Sequence, residues 1–436
     1  MTRCRILLAL FFVTAFAVSA SAEIVASAPV SPLDQARAAL VAGQLDATEK
    51  ILNSIQESSV DLNDLDFLRG TLAMDRKDYD RAIACFRAVL TRNPSLNRVR
   101  LDLARTFFLK GDDAVAEYHF HLAEAAGLPP AVQANVDKIL DEIKRRKRWD
   151  ADVSFGLEPS TNINAATSAQ TVNLYGTPYQ LSQSAQKTSG VGVVGALSGS
   201  YQAMLTPDSR LVVGSSLNGT DFIQKDFDDN SASAFIGPRF LLGPHAEATV
   251  EATATERWYG GQDYYAGGGG LVQGKVALSP QLQWEGAVAV QQLNYSSNFS
   301  PYTGPVTTVS TSLTYGLDSV SFIRLDGAAI HEQTAEKSFR DTQYYIGPNY
   351  YRELPRGFIG NLGVNADFAY FDAPLAAFGV TRHDTTMNYQ AGISNRLFNL
   401  FGFMPSVTYI HTNRYSDVPL YAFSSDRMIL GATQNF

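Results

Sequence analysis

Apolar and polar residues follow two different periods along this chain, and the change comes at Trp149. Before it, a pattern repeats every 34 residues through residues 30–128. Gly70, Ala82, Phe86, Val89 and Pro94 mark the clearest copy. Adding 34 gives Ala104, Ala116, Phe120, Ala123 and Leu128, with Pro129 one place late, and subtracting 34 gives Ala36, Thr48, Leu52 and Ile55. The turn between the paired helices repeats as Gly43, Lys77 and Gly111. Period and marker types resemble the tetratricopeptide repeat. Small residues at 82 and 116 let two helices approach, Phe86 and Phe120 fill the gap between pairs, and a proline stops the second helix. Residues 131–148 read as a closing helix ending in the basic run Lys144 to Arg148.

After Trp149 the period drops to two. Trp149, Ala151, Val153, Phe155 and Leu157 share one face, with Asp150, Asp152 and Ser154 opposite. Ala246, Ala248, Val250, Ala252 and Ala254 alternate with Glu247, Thr249, Glu251, Thr253 and Thr255. Phe358, Leu362, Val364, Ala366, Phe368 and Tyr370 stand against Asn361, Asn365 and Asp367. A soluble sandwich alternates too. These runs are often twelve residues or more, however, against about five or six for ordinary soluble strands. Short turns with Pro or Gly recur near 206, 243, 279, 317, 354 and Asn399, and longer polar stretches such as 224–230 and 373–383 lie between them. Short turns on one rim and longer loops on the other mark an outer-membrane barrel. Fourteen segments are expected, from 149–157 to 425–436 and including 358–371 and 385–398. An even number closes an antiparallel barrel and leaves no unpaired edge in lipid. Met428, Leu430, Ala432 and Phe436 form a terminal alternation of the kind read by the barrel-assembly machinery, although Gln434 interrupts it. The expected fold class is thus an all-β transmembrane barrel of 14 antiparallel strands, preceded by a small all-α tetratricopeptide-like domain.

The first 22 residues belong to neither part. Arg3 and Arg5, an apolar run from Ile6 to Val18, and Ala20-Ser21-Ala22 read as a secretory signal peptide. The expected organisation is signal peptide 1–22, periplasmic helical domain 30–148 and outer-membrane barrel 149–436. Without the leader the chain has 33 basic and 43 acidic residues and keeps Cys85 alone, so no disulfide forms within it. Residues 23–148 hold 18 basic and 19 acidic residues, while residues 149–436 hold 15 and 24. The surplus is acidic and lies in the barrel, which argues against nucleic acid as a partner.

Candidate chemistry changes little. His119 and His121 are two apart on a helix and point to different faces, so they cannot chelate one metal. His245, His331, His383 and His411 fall in separate turns and strands. Gly267 to Gly270 lacks the lysine and helix of a phosphate loop. Glu247, Glu251, Asp150 and Asp152 read as the wet side of the wall. The expectation is no catalytic site, no cofactor and no metal. A repeat stack offers a groove instead. Its register puts Phe67, Thr71, Arg98, Arg105 and Phe108 there as a client-binding surface, with a packed Phe108 and merely solvated arginines as the alternative.

Leader, short repeat domain and fourteen-stranded barrel together resemble the Slam family, the surface lipoprotein assembly modulators of type XI secretion. The residues 155–167 (FGLEPSTNINAAT) are similar to that family's opening strand and Asn-rich loop. Residues 227–240 and 341–358 share its aspartate, polar run and Gly-Pro on a strand. The resemblance implies an outer-membrane translocon. It would export or display client proteins, either surface lipoproteins or secreted haem- or metal-binding proteins. The implied partners are that client, a periplasmic chaperone and outer-membrane lipid, with a monomeric barrel. A repeat-barrel exopolysaccharide exporter and a porin-like solute channel are the alternatives.

Overall fold

The computed structural model describes residues 31–435 apart from 244 and 399–401. The expected leader, the turn near Asn399 and Phe436 lie outside the described residues. Three helical hairpins come first: α1 (Pro32–Val41) with α2 (Leu45–Ser54), α3 (Leu62–Asp75) with α4 (Tyr79–Arg92), and α5 (Asn97–Lys110) with α6 (Asp113–Ala125). A longer α7 (Pro130–Arg146) follows. Side chains of Ser31, Asp61 and Asp78 accept hydrogen bonds from backbone N–H groups in the first turns of α1, α3 and α4. Such caps satisfy donors that a helix leaves open at its start. The repeating turn positions share one conformation, with positive φ at Gly43, Lys77 and Gly111. Glycine enters that left-handed region without penalty, whereas Lys77 is strained there.

The positions that recur at 34 residues form the interior. Ala36, Thr48 and Leu52, then Ala82, Phe86 and Val89, then Ala104, Ala116, Phe120 and Ala123 are all buried. Gly70 shows why the pattern demands small residues. A Cβ there would sit 2.7 Å from the Phe86 ring. One cluster joins Ala36, Leu52, Leu65, Leu68 and Leu72, and a second runs from Ala73 through Phe86, Leu103 and Phe120 to Ile143 of α7.

Fourteen strands close into a barrel. They are β1 (Trp149–Ser160), β4 (Gly190–Thr206), β5 (Ser209–Phe222), β6 (Asp229–Leu241), β7 (Ala246–Tyr259), β8 (Gln262–Ser279) and β9 (Leu282–Tyr295). The remainder are β10 (Gly304–Asp318), β11 (Ser321–Glu332), β12 (Asp341–Glu353), β13 (Phe358–Leu375), β14 (Val380–Asn395), β15 (Met404–Ser416) and β16 (Phe423–Asn435). Each pairs antiparallel with its neighbours, and β1 pairs with both β4 and β16. The alternation sorts as the periodicity required. Phe155, Leu157, Val250, Val288, Val309, Leu362, Val364, Met428 and Leu430 are exposed on the outside. Glu247, Thr249, Lys275, Glu285, Arg324 and Asp326 line a recess on the inner wall. An exposed apolar belt around a polar interior is the arrangement that hydrocarbon outside and water inside select.

The structure corrects the expected boundaries at two places. Residues 373–383 were expected as a polar loop, yet β13 runs to Leu375 and β14 starts at Val380. Pairing shifts between Tyr370 and Pro374, and that irregularity lets Pro374 face Thr381 and prolongs the hairpin. The long segment between β1 and β4 also carries a small hairpin of its own, β2 (Thr171–Leu174) with β3 (Thr177–Gln180).

Candidate functional site: the junction of helices and barrel

The helical stack lies across one mouth of the barrel, and its contacts run round that rim. At the β4–β5 turn, Arg145 donates to the Pro207 carbonyl at 3.1 Å and to Asp208 at 2.9 Å, while the buried Arg210 donates to the Arg145 carbonyl at 2.9 Å. Lys144 lies 3.6 Å from Glu247 at the start of β7. Gln281, between β8 and β9, donates to the Glu124 carbonyl at 3.5 Å. At β10, Gly316 meets Ala125 so closely that an added Cβ would be 2.3 Å from the alanine's own.

The strongest contact is at the end of β12. Glu353 accepts from Arg100 at 2.7 Å, from Tyr118 at 2.9 Å and from Arg396 at 2.6 Å. The side chains of Arg100 and Glu353 are 0% and 2% exposed. Arg100 also donates to the Pro94 carbonyl at 2.8 Å and approaches the His119 ring nitrogen at 3.4 Å. Burial, reinforced by the positive charges of Arg100, Arg396 and Arg87, holds His119 well below its ordinary pKa. The imidazole is therefore neutral and its Nδ1 can accept from Arg100. Partial burial and the Glu353 charge push the Tyr118 pKa up, so it stays a donor. One carboxylate thus gathers two guanidinium groups and a phenol, with Arg100 and Glu353 themselves shut off from water. Such a group is rigid while complete and costly to leave half-made.

His121 turns elsewhere. It lies 2.8 Å from Glu124 and 3.8 Å from Glu117. Partial burial opposes its charge, although the side chain is still 48% exposed, and the two carboxylates outweigh it and raise its pKa to about 9. Glu117 is held at about 2, since its hydrogen bond and charge interaction with His121 overcome the opposing effect of burial. The two histidines thus diverge, as their spacing required.

The groove residues are only partly brought together. Phe67 packs on Phe86 with ring centroids 5.9 Å apart, and the Arg98 guanidinium lies 5.4 Å from the Phe67 ring centre. The Thr71 hydroxyl is spent on the Phe67 carbonyl at 2.9 Å. Arg98 and Arg105 are exposed. Both act on Asp102, whose pKa burial raises against their pull. Phe108 is separate: it packs against the larger core, and Arg146 covers its ring at 4.3 Å. Met428 and Leu430 of the terminal alternation face outward beside the partly exposed Ala432.

The sequence reading missed Arg100, Tyr118, Glu353 and Arg396. One signal was available: Arg100 interrupts the stripe of Val99, Leu103, Ala104 and Phe107, and a charge among core positions implies a partner. The partner, 253 residues on, could not be named.

On the far rim the segment 161–189 is tied to the start of β16 and to the β13–β14 turn. Asn162 donates to the carbonyls of Ala166 and Ser424 at 2.8 and 3.1 Å, and Asn164 donates to that of Gln186 at 2.8 Å. The Tyr175 N–H reaches the Ala377 carbonyl at 2.7 Å, in the β13–β14 turn. The Asn-rich stretch is thus a brace. The two Gly-Pro pairs also have a structural meaning. The β6–β7 ladder skips Gly237 and Pro238, and the β12–β13 ladder skips Gly347 and Pro348. Proline has no N–H to give. Among the described residues no group of three or more His, Cys, Asp or Glu is gathered as metal ligands would be.

Comparison with known proteins agrees with this architecture. The surface lipoprotein assembly modifier of Moraxella catarrhalis is 23% identical over 364 residues, which are 80% of this chain and 68% of that protein. Surface lipoprotein assembly modifier 1 of Neisseria meningitidis serogroup B is 25% identical over 115 residues, 26% of this chain and 24% of that one. Among solved structures, the outer membrane channel DcaP of Acinetobacter baumannii overlays with a TM-score of 0.42 at 7% identity, covering 66% of this chain and 96% of its own. That overlay is too loose to carry an argument, and the barrel stands on its own strand pairing. The model of the family described as surface lipoprotein assembly modifier matches residues 149–436, the whole barrel, and this chain, a Gram-negative outer-membrane protein, belongs to that family.

Proposed function

We propose that this protein carries lipoproteins through the outer membrane to the cell surface, with the helical stack facing the periplasm as a receiving platform. The observation that carries this reading is the position of α6 and α7 across one mouth of the barrel. Anything entering the lumen from that side meets the helices first. The inner wall suits an extended polypeptide. Lys275 pairs with Glu285 at 3.5 Å, Arg324 pairs with Asp326 at 2.7 Å, and Tyr345 donates to Asn365 at 3.0 Å. Charges of both signs offer passing peptide groups water and transient hydrogen bonds without gripping one composition.

Phe67 and Arg98, with Asp102 and Arg105 beside them, make the surface on which a client would first rest. Aromatic and arginine side chains are the usual anchors of such contacts. Thr71 and Phe108 add less, because each is already engaged. A periplasmic chaperone delivering the client, soluble secreted clients, and recognition of the last strand by the barrel-assembly machinery belong to the same proposal. No nucleotide is needed if folding outside the cell makes passage one-way. Deleting residues 23–148 behind an intact leader tests the platform. The barrel should still assemble and resist boiling-free electrophoresis as a compact band, while surface display of the client falls. Unchanged display would remove the helical region from the pathway.

A further inference from the structure

The wall is interrupted where the first and last strands meet. β1 pairs with β4 without interruption from Trp149–Tyr201 to Ser160–Gly190. On its other side β1 pairs with β16 from Asp152–Asn435 to Leu157–Leu430, then not again until Ser160–Arg427. Pro159, in that gap, has no N–H to offer, and the buried Glu158 lies 3.7 Å from Arg427. Just below the gap Gly156 faces Gly431. A Cβ on Gly156 would come within 2.8 Å of the Leu430 carbonyl oxygen, so the backbones approach closely and no side chain backs them. Outside this spot lies a crevice of about 450 Å³ bounded by Phe155, Leu157, Val193, Leu430 and Ala432. The exposed apolar side chains of Phe155, Leu157, Val193 and Leu430 make the crevice continuous with the belt that meets bilayer hydrocarbon.

A lipoprotein presents two incompatible parts to such a barrel. Its polypeptide needs water, and its acyl chains leave hydrocarbon unwillingly. We propose that the β1–β16 crevice seats the acyl chains of the lipoprotein client while its polypeptide travels inside, the two joined through this seam. The inference rests on the lipoprotein reading above. Groove, thin wall and interrupted ladder coincide there. Other ladders also break at a proline, at Gly237-Pro238 and Gly347-Pro348, but neither lies under this crevice.

The test uses the full-length protein with Cys85→Ala, and as client the lipoprotein lost from the surface when this gene is deleted. A benzophenone amino acid is placed at Val193 or Leu430, and at Val309, exposed on β10 across the barrel. Illumination should link the palmitate-labelled client to 193 and 430 at least fivefold more than to 309. A client whose lipidated cysteine is replaced should lose that link. Equal linking at all three positions, to bulk phospholipid only, overturns the proposal. A second arm joins Ser154→Cys to Thr433→Cys, partners across the seam. The oxidised barrel should display the lipidated client at least tenfold less, recover with reductant, and still pass the unlipidated client. Undiminished display, or a block of both forms, overturns the role of the seam. If the deletion strain loses no lipoprotein, it is the underlying transport reading that fails.

Discussion

Arg100 of α5 and Glu353 of β12, 253 residues apart in the chain, form a 2.7 Å ion pair sealed from solvent. It fastens the helical stack to the barrel. Removing one partner of a buried pair costs roughly 3–5 kcal/mol, because the other charge is left stranded. Glu353→Ala should therefore loosen the stack without unfolding the barrel. Limited trypsin digestion of purified protein in detergent should cut the basic run at Lys144 to Arg148 much faster. The triple replacement Arg100→Met, Glu353→Met and Arg396→Met removes all three charges of the group together, and should restore much of the resistance. Equal digestion of wild type and Glu353→Ala would show that the pair does not hold the junction.

The same junction should respond to alkali. A raised histidine pKa contributes stability in full below the ordinary value of about 6.5 and loses it as pH climbs past the folded value. For His121 that loss begins at about pH 6.5 and is essentially complete once the pH has passed about 9. Glu117 works in the other direction: its contribution is complete above about 4.5 and disappears as pH falls through about 2. Amide exchange of α6, corrected for intrinsic rates, should show protection falling between pH 7 and 10 in wild type. His121→Gln should flatten that dependence. An unchanged slope in the variant would take His121 out of the linkage.

Glycines offer a matched test of the wall. A Cβ at Gly237 would fall 1.8 Å from the Val250 carbonyl oxygen, whereas one at Gly195 meets nothing within 4 Å. Gly237→Ala should impair assembly by about 1–3 kcal/mol, the usual cost of overpacking. Gly195→Ala should assemble normally. The heat-modifiable band on a gel reads the difference, and two equally compact variants would contradict it.

Asn162→Ala removes the donor to Ala166 and Ser424 and the acceptor of the Ala166 N–H. Each buried group left unpaired costs about 1–3 kcal/mol. Protease added to intact cells should then cut within 161–189, with the barrel intact. Resistance equal to wild type would mean the hairpin and the Tyr175 contact hold the segment alone.

Much of this was legible in advance because it is local. A period of two survives in every strand whose one side meets lipid, so Val250 against Glu251 and Leu362 against Asn361 announce the wall. The 34-residue markers work likewise, since Gly70 and Phe86 must fit one another within one hairpin. Long-range meetings left no such trace. Nothing near Glu353 points to Arg100, and the extension of β13 to Leu375 depends on an irregularity in its pairing with β14. The groove fared between these cases: the repeat's register placed Phe67 beside Arg98, but could not foresee Arg146 over Phe108.

Surface biotinylation of three strains addresses transport itself: wild type, a deletion, and the deletion complemented with the full chain. One or a few lipoproteins should leave the biotinylated fraction in the deletion while remaining in the cell, and return on complementation. An unaltered lipoprotein surface, with the barrel present in the wild-type outer membrane under the same growth conditions, would contradict it.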